Sequence, residues 1–295
     1  LVTEEEIKEA YEEVDDELIK VIRKAIKNIR DFHEKQIQKS WFETREDGVM
    51  LGQKVTPMET CGVYVPGGKA VYPSSVLMNI VPAHVAGVKN IIMTTPPGKD
   101  GKVTANTLVA AKEAGATKVY KVGGAQAIAA MAFGTESIPK VDKIVGPGNI
   151  FVALAKKAVY GNVSIDSIAG PSEILVLADE TANPRYVAAD LLSQAEHDEM
   201  ASAILVTTSE ELAHKVSDEI DGFLNQLSRK EIMEKSLDSF GYILVASDMK
   251  EAIDTANAIA SEHMEIMTAN PFDVMTRIKN AGAIFIGAYS CEPLG

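Results

Sequence analysis

Cysteine is nearly missing from the chain. Cys61 and Cys291 stand far apart with no C-x-x-C spacing, so neither a disulfide scaffold nor a cysteine-based zinc site is indicated, and both read as free thiols. No apolar run approaches the roughly 18 residues of a membrane span. The N-terminus is acidic and amphipathic instead of basic and apolar, so no signal peptide is visible, and a soluble, cytoplasmic protein with no membrane partner is expected. Positive charge is also scarce. With 29 Lys and Arg against 42 Asp and Glu, the net charge of -13 argues against a nucleic-acid partner, because phosphate binding needs a basic face. A small-molecule ligand is the better expectation. No G-x-G-x-x-G, internal repeat or low-complexity segment is present. The chain opens on Leu1 and closes on Gly295 in loop-like sequence, and a fragment of a longer protein is expected.

What is present is a long alternation of strands and helices. From Thr3 to about Gln36, apolar residues recur at three- and four-residue intervals (Ile7, Tyr11, Val14, Leu18, Val21, Ala25, Ile29, Phe32), which predicts one amphipathic helix or two with a break at Asp15-Asp16. Its polar face is mixed in sign, favouring packing on protein over membrane binding. Gly48, Gly52 and Pro57 mark a connector with short extended pieces. From Gly62 the pattern becomes strand, glycine-rich turn and helix, repeated. The expected fold is α/β: two Rossmann-like domains with mostly parallel sheets, preceded by the helical segment. The boundaries read 1–61 for the N-terminal helices and connector, placed against the second α/β domain, then 62–170 and 171–295 for the first and second α/β domains.

Right-handed crossovers put the strand-to-helix turns of the first domain on one sheet edge: Pro66-Gly67-Gly68, Pro96-Pro97-Gly98, Gly123-Gly124-Ala125-Gln126 and Gly146-Pro147-Gly148-Asn149. Free amides opening the next helix attract phosphate there, so these turns suit either a nucleotide site or ordinary tight bends. In the second domain a helix capped by Asn183, with Pro184 at its first position, ends near Gln194 and His197. Three residues apart on a helix, an amide oxygen and an imidazole could share one cation, though such a pair is more often solvated surface. Ser261-Glu262-His263 follows another helix and adds a candidate base beside a carboxylate. His33 and His214 lie on charged helices and read as solvated, and His84 sits among apolar residues as a partly buried histidine. Gly282 reads as a left-handed cap closing a helix from Pro271 to Asn280.

Laid out in this order, the chain resembles histidinol dehydrogenase. The resemblance rests on YVPGG at 64–68, PSSVLMNIVPAHVAG at 73–87, VGGAQAIAAMAFGT at 122–135, VDKIVGPGNIFVALAKKAVYG at 141–161, IDSIAGPSEILVLAD at 165–179, AADLLSQAEH at 188–197 and SEHMEI at 261–266. It implies a zinc enzyme, homodimeric with shared active sites, that oxidises L-histidinol to L-histidine through an aldehyde by two hydride transfers to NAD. On the matching positions, Gln194 and His197 are implied as zinc ligands and Ser172 as a substrate contact. Substrate would also meet Gln194, His197 and His263. His263 is implied as the base for the hydroxyl proton, Glu262 as the group that activates water, and Tyr64, Gln126 and Asn149 as NAD contacts. The family's remaining zinc ligands, an Asp and a His, would fall after Gly295, so two of four protein ligands are expected in this chain, with weak metal binding and little turnover. Two other readings stay open: a related zinc and NAD alcohol dehydrogenase acting on another amino- or sulfo-alcohol, or an inactive α/β binding or assembly module.

Overall fold

A computed structural model describes residues 1–67 and 73–292. Gly68 of the first glycine turn and the terminal Gly295 lie outside the described residues. The chain parts into two compact units, Leu1–Gly170 and Pro171–Gly295, each built on a five-stranded parallel sheet with helices on both faces, as the Rossmann-like reading expects. Among the described residues no helix is long and apolar enough to cross a membrane.

The first unit begins with α1 (Glu4–Glu13) and α2 (Asp16–His33). Thr3 and Glu6 close a capping box on α1, and the chain breaks where Asp15 accepts from the Glu17 N–H and caps α2. The apolar stripe Ala10, Val14, Ile19 and Ile22 is buried. It packs on α3 (Pro73–Val85) and α4 (Ala105–Ala114) of this same unit, and Glu113 of α4 is held by Tyr11 at 2.7 Å and by Arg23 at 2.8 Å. The expected cover, the second α/β domain, is thus not what buries this stripe. An amphipathic stripe specifies that it must be covered, not by which sheet. The connector forms an antiparallel hairpin, β1 (Trp41–Thr44) with β2 (Met50–Gln53), whose eight residues are all exposed.

The first parallel sheet runs β5 (Lys118–Lys121), β4 (Asn90–Thr95), β3 (Thr60–Tyr64), β6 (Lys143–Val145), β7 (Ser164–Ile165). α3 and α4 cover one face; α5 (Gly124–Phe133) and α6 (Ile150–Val159) cover the other. The strand order reverses between β3 and β6, which leaves a crevice beyond their C-terminal ends.

The second sheet repeats this order: β10 (Gly241–Val245), β9 (Ser202–Thr207), β8 (Glu173–Ala178), β11 (His263–Met267), β12 (Ala283–Ile286). Its central strand β8 is buried on both faces from Ile174 to Ala178, as a continuous aliphatic run in a parallel sheet must be. One face carries α7 (Pro184–Ala195), α8 (Glu210–Leu224) and α9 (Lys230–Phe240); the other carries α10 (Met249–Ile259) and α11 (Pro271–Arg277). α11 stops at Arg277, and Gly282 is not left-handed. That glycine is needed for a close approach: a Cβ there would stand 2.6 Å from the Glu262 carbonyl oxygen.

Candidate active site

In the first unit the three residues implied as NAD contacts meet the strand ends beside the β3–β6 crevice. Tyr64 closes β3 and is only 3% exposed; its hydroxyl oxygen accepts the Gly124 N–H at 3.0 Å, which ties the strand end to the turn opening α5. Gln126 is exposed in the first turn of α5. Asn149 caps α6, its Oδ1 accepting the N–H groups of Phe151 at 3.1 Å and Val152 at 3.2 Å. That oxygen is occupied, so the Asn149 NH2 is what remains to meet a ligand. Gly146 has φ +112°, and a side chain there would run into the Tyr64 carbonyl oxygen. The buried Lys156 reaches back from α6 to the Gly146 carbonyl at 3.0 Å and pairs with Asp166, whose other oxygen accepts the Gly146 N–H at 2.8 Å. The Gly146–Asn149 turn is thus held from below by an ion pair. These features converge on a strand C-terminal edge, the usual place for a ligand in open α/β sheets.

The second unit does the opposite. α7 runs antiparallel to β8, so its C-terminal end returns to the edge where the parallel strands begin. Gln194, only 1% exposed in the last turn of α7, meets His263, the first residue of β11, and the His263 Nδ1 lies 2.9 Å from the Gln194 Oε1. With the amide oxygen as acceptor, Nδ1 carries the ring proton and Nε2 keeps a lone pair. Ser172 is half-buried at the same edge, its carbonyl accepting the Ser202 N–H at 3.0 Å where β8 and β9 start. Glu262 is exposed in the bend before β11; its N–H faces a Glu173 carboxylate oxygen at 3.4 Å. The helix ends at Ala195, so His197 is not on it; it is exposed in the following turn, its N–H donating to the Gln194 carbonyl at 3.1 Å. The structure therefore joins Gln194 and His263 directly, sets Ser172 and Glu262 on the same strand edge, and links His197 to Gln194 through the main chain.

Zinc can be tested against these donors. A carbonyl oxygen has two lone pairs; His263 takes one of those on Gln194 Oε1, and the second is open to a cation. The His197 imidazole is exposed one turn away. Among the described residues no group of three His, Cys, Asp or Glu converges to hold a metal. By donor chemistry Gln194 and His197 offer one amide oxygen and one imidazole nitrogen, two donors where a tetrahedral zinc site needs four, so they do not make a site alone.

Three carboxylates behind this pair were not singled out from the sequence. Glu265 on β11 is fully buried, and its pKa is pushed up to about 9, first by burial and then by the facing Asp190 carboxyl. Asp190, four residues before Gln194 on α7, is raised as well, mainly by burial. Glu292 places its carboxylate 4.0 Å from His263 Nε2. A charged residue inside an otherwise apolar strand, two positions from His263, was the available signal for Glu265. Among the described residues the cavities include one of about 670 Å³ in the first unit, lined by Cys61, Met78 and Pro82 among others; it includes none of the predicted site residues.

Two parallel α/β units, one with a turn-lined crevice at a strand switch point and the other with a paired glutamine and histidine at its strand starts, define a protein of two Rossmann-like α/β units. A low-identity likeness illustrates the fold: an acetylating aldehyde dehydrogenase from Geobacillus thermoglucosidasius superposes with TM-score 0.55 at 14% identity, covering 96% of this chain and 81% of that one. The family model "Histidinol dehydrogenase" matches residues 1–295, and the chain belongs to the histidinol dehydrogenase family. It is 60% identical over 295 residues to the histidinol dehydrogenase of Bacillus subtilis, covering all of this chain and 69% of that protein. With the histidinol dehydrogenase of Caldanaerobacter subterraneus it shares 61% identity over 294 residues, 68% of that protein. The crystal structure of histidinol dehydrogenase from Elizabethkingia anophelis matches with TM-score 0.96 at 42% identity, over all of this chain and 68% of that one.

Proposed function

We propose that this chain carries the core of an NAD-dependent, zinc-requiring oxidation of L-histidinol to L-histidine, by way of histidinal, in histidine biosynthesis. The contact between His263 and Gln194 at the strand edge that also bears Ser172 supports this reading most directly. Because Nδ1 is engaged, Nε2 of His263 is the nitrogen free to take the substrate hydroxyl proton as the carbonyl forms, a task suited to imidazole at neutral pH. Ser172, Gln194 and His197 bind and orient the substrate. Glu262 takes a proton from the water that adds to the aldehyde, giving the hydrate that loses the second hydride. Tyr64, Gln126 and the Asn149 amide hold the cofactor on the first unit's rim. Two NAD molecules, bound in turn, would each accept one hydride, and zinc, held by Gln194 and His197 with further ligands, would supply a Lewis acid that orients the substrate. Cytoplasmic location and assembly as a homodimer belong to the same proposal.

The test is NAD reduction by the intact enzyme with histidinol, histidinal and simple diols. His263→Asn should lower histidinol oxidation by about 10²-fold or more, the size of general-base effects. Glu262→Gln should slow the aldehyde step more than the alcohol step. Turnover of a diol or sulfo-alcohol with none of histidinol would refute the substrate assignment. The 295-residue chain by itself should hold zinc weakly and turn over little, having two of the expected protein ligands; stoichiometric zinc surviving dialysis is the contrary result.

A further inference from the structure

The proposed steps make no use of Lys156, a charged side chain only 2% exposed inside the first unit. An ammonium taken out of water is costly even when paired, and an apolar side chain of similar length would fill the same space without that cost. Its place on α6 explains what it reaches. Helical side chains lean toward the helix N-terminus, and Lys156 follows Asn149 by two turns along the same face. Nζ therefore runs back past the start of the helix and donates to the Gly146 carbonyl at 3.0 Å. It also pairs with Asp166 Oδ1, which accepts the Ser167 N–H at 2.7 Å, while Oδ2 accepts the Gly146 N–H at 2.8 Å. Asp166 is itself tied to the sheet, its main-chain N–H donating to the Ile144 carbonyl at 3.1 Å. One ion pair thus takes both main-chain groups of Gly146. Asn149 closes the other end of the turn with its cap on α6. Between them Pro147 has a fixed φ, and Gly148 lies so close to Val152 that a Cβ would stand 2.4 Å from its methyl carbon.

We propose that Lys156 is a positioning residue for the cofactor: through Gly146 it fixes the Gly146–Asn149 turn, so that the Asn149 NH2 is aimed before NAD arrives. The proposal rests on NAD binding at this rim. A turn already held in its binding shape loses little further freedom when the ligand docks, so what Lys156 contributes appears as affinity. Methionine has nearly the length of lysine and no donor; it fills the space and leaves the Gly146 carbonyl without its partner. In Lys156→Met the Asp166 carboxylate also loses its counter-charge. Asp166→Asn removes that charge and keeps an oxygen for the Gly146 N–H.

In the intact enzyme, Lys156→Met should raise the calorimetric Kd and the KM for NAD by about tenfold, with the KM for histidinol unchanged and kcat within about threefold of wild type. Without cofactor, hydrogen exchange at the Phe151 and Val152 amides, which Asn149 caps, should quicken in the same variant. The double variant Lys156→Met/Asp166→Asn, free of the unpaired charge, should recover stability to urea but not NAD affinity, and it carries the test if the single variant fails to fold. Val159→Ala, a truncation of a buried residue at the far end of α6, should lose stability and keep NAD affinity. Three outcomes would overturn the proposal and leave the cofactor reading standing: a Kd within about twofold of wild type in Lys156→Met, affinity that returns with stability in the double variant, or an equal loss of affinity in Val159→Ala. A wild type that binds no NAD would overturn both.

Discussion

At Gln194 one oxygen atom has two uses, whereas Asn149 divides two uses between the two ends of its amide. Gln194 Oε1 orients His263 and retains a lone pair for a cation, so a substitution there would disturb the proposed base and the proposed metal site together. At Asn149 the two uses fall on different atoms. Oδ1 caps α6 through Phe151 and Val152, and the NH2 is left for the proposed cofactor contact. Asn149→Asp keeps the capping oxygen, so its urea midpoint should stay near wild type while calorimetric NAD affinity falls. Asn149→Ala loses both, and should also cost about 1 kcal/mol of stability, the usual loss at an N-cap. Equal destabilisation by the two variants would contradict the division of labour. Asn149 could be picked out as a cap because an Asn opening an apolar helix is a local signal. Glu265 could not be read as buried, because a lone charged residue in a strand is ordinarily turned to solvent, and only the covering α7 and the segment to Glu292 bury it.

Elements position these residues through their ends. The turn from Gly146 to Asn149 is possible because Gly146 adopts a left-handed φ and packs directly on the Tyr64 backbone, with Lys156 and Asp166 clamping both its main-chain groups. Gly146→Ala should destabilise the chain by about 2 kcal/mol or more, combining the cost of a left-handed alanine with the forced displacement of β3. Urea unfolding would measure it, and a near-neutral change would show that the turn is looser than its geometry. At α7 the sequence signals were uneven. Asn183 and Pro184 mark its start plainly. No glycine or proline marks its end, and the helical period was carried on to His197, which the structure puts in the next turn. Likewise β11 begins at His263, ahead of its apolar residues, because pairing with β8 and β12 recruits the histidine into the strand.

Across the molecule, a net charge of -13 makes carboxylates the main pH-sensitive groups, and the fully buried Glu265 stands far from the acidic norm. Glu265 has an ordinary value of 4.5, raised to about 9 in the fold by burial and by Asp190. The folded protein then keeps a proton that the unfolded chain has released. This contribution to stability is therefore full below about pH 4.5 and is lost as pH rises to about 9, at up to about 1.4 kcal/mol per pH unit. Denaturant midpoints of the chain between pH 5 and 9 should fall with pH, and Glu265→Gln should flatten that slope. An unchanged slope in the variant would assign the pH dependence to other groups.

From the sequence alone came the kinds and order of the elements, the parallel sheets, the Asn183 cap, the glycine turns and the resemblance to a family that the comparisons establish. Those features are written in patterns a few residues long, where periodicity and backbone preference act. Tertiary structure decided that α1 and α2 cover the first sheet, and that the Gln194–His263 pair stands at the strand starts of the second. It also decided that Asp190, Glu265 and Glu292 gather behind that pair. The reason is geometric: a helix that follows a strand must run back along it. Which residue its far end meets depends on the strand inserted next to that one, 69 positions later in the chain for Gln194 and His263.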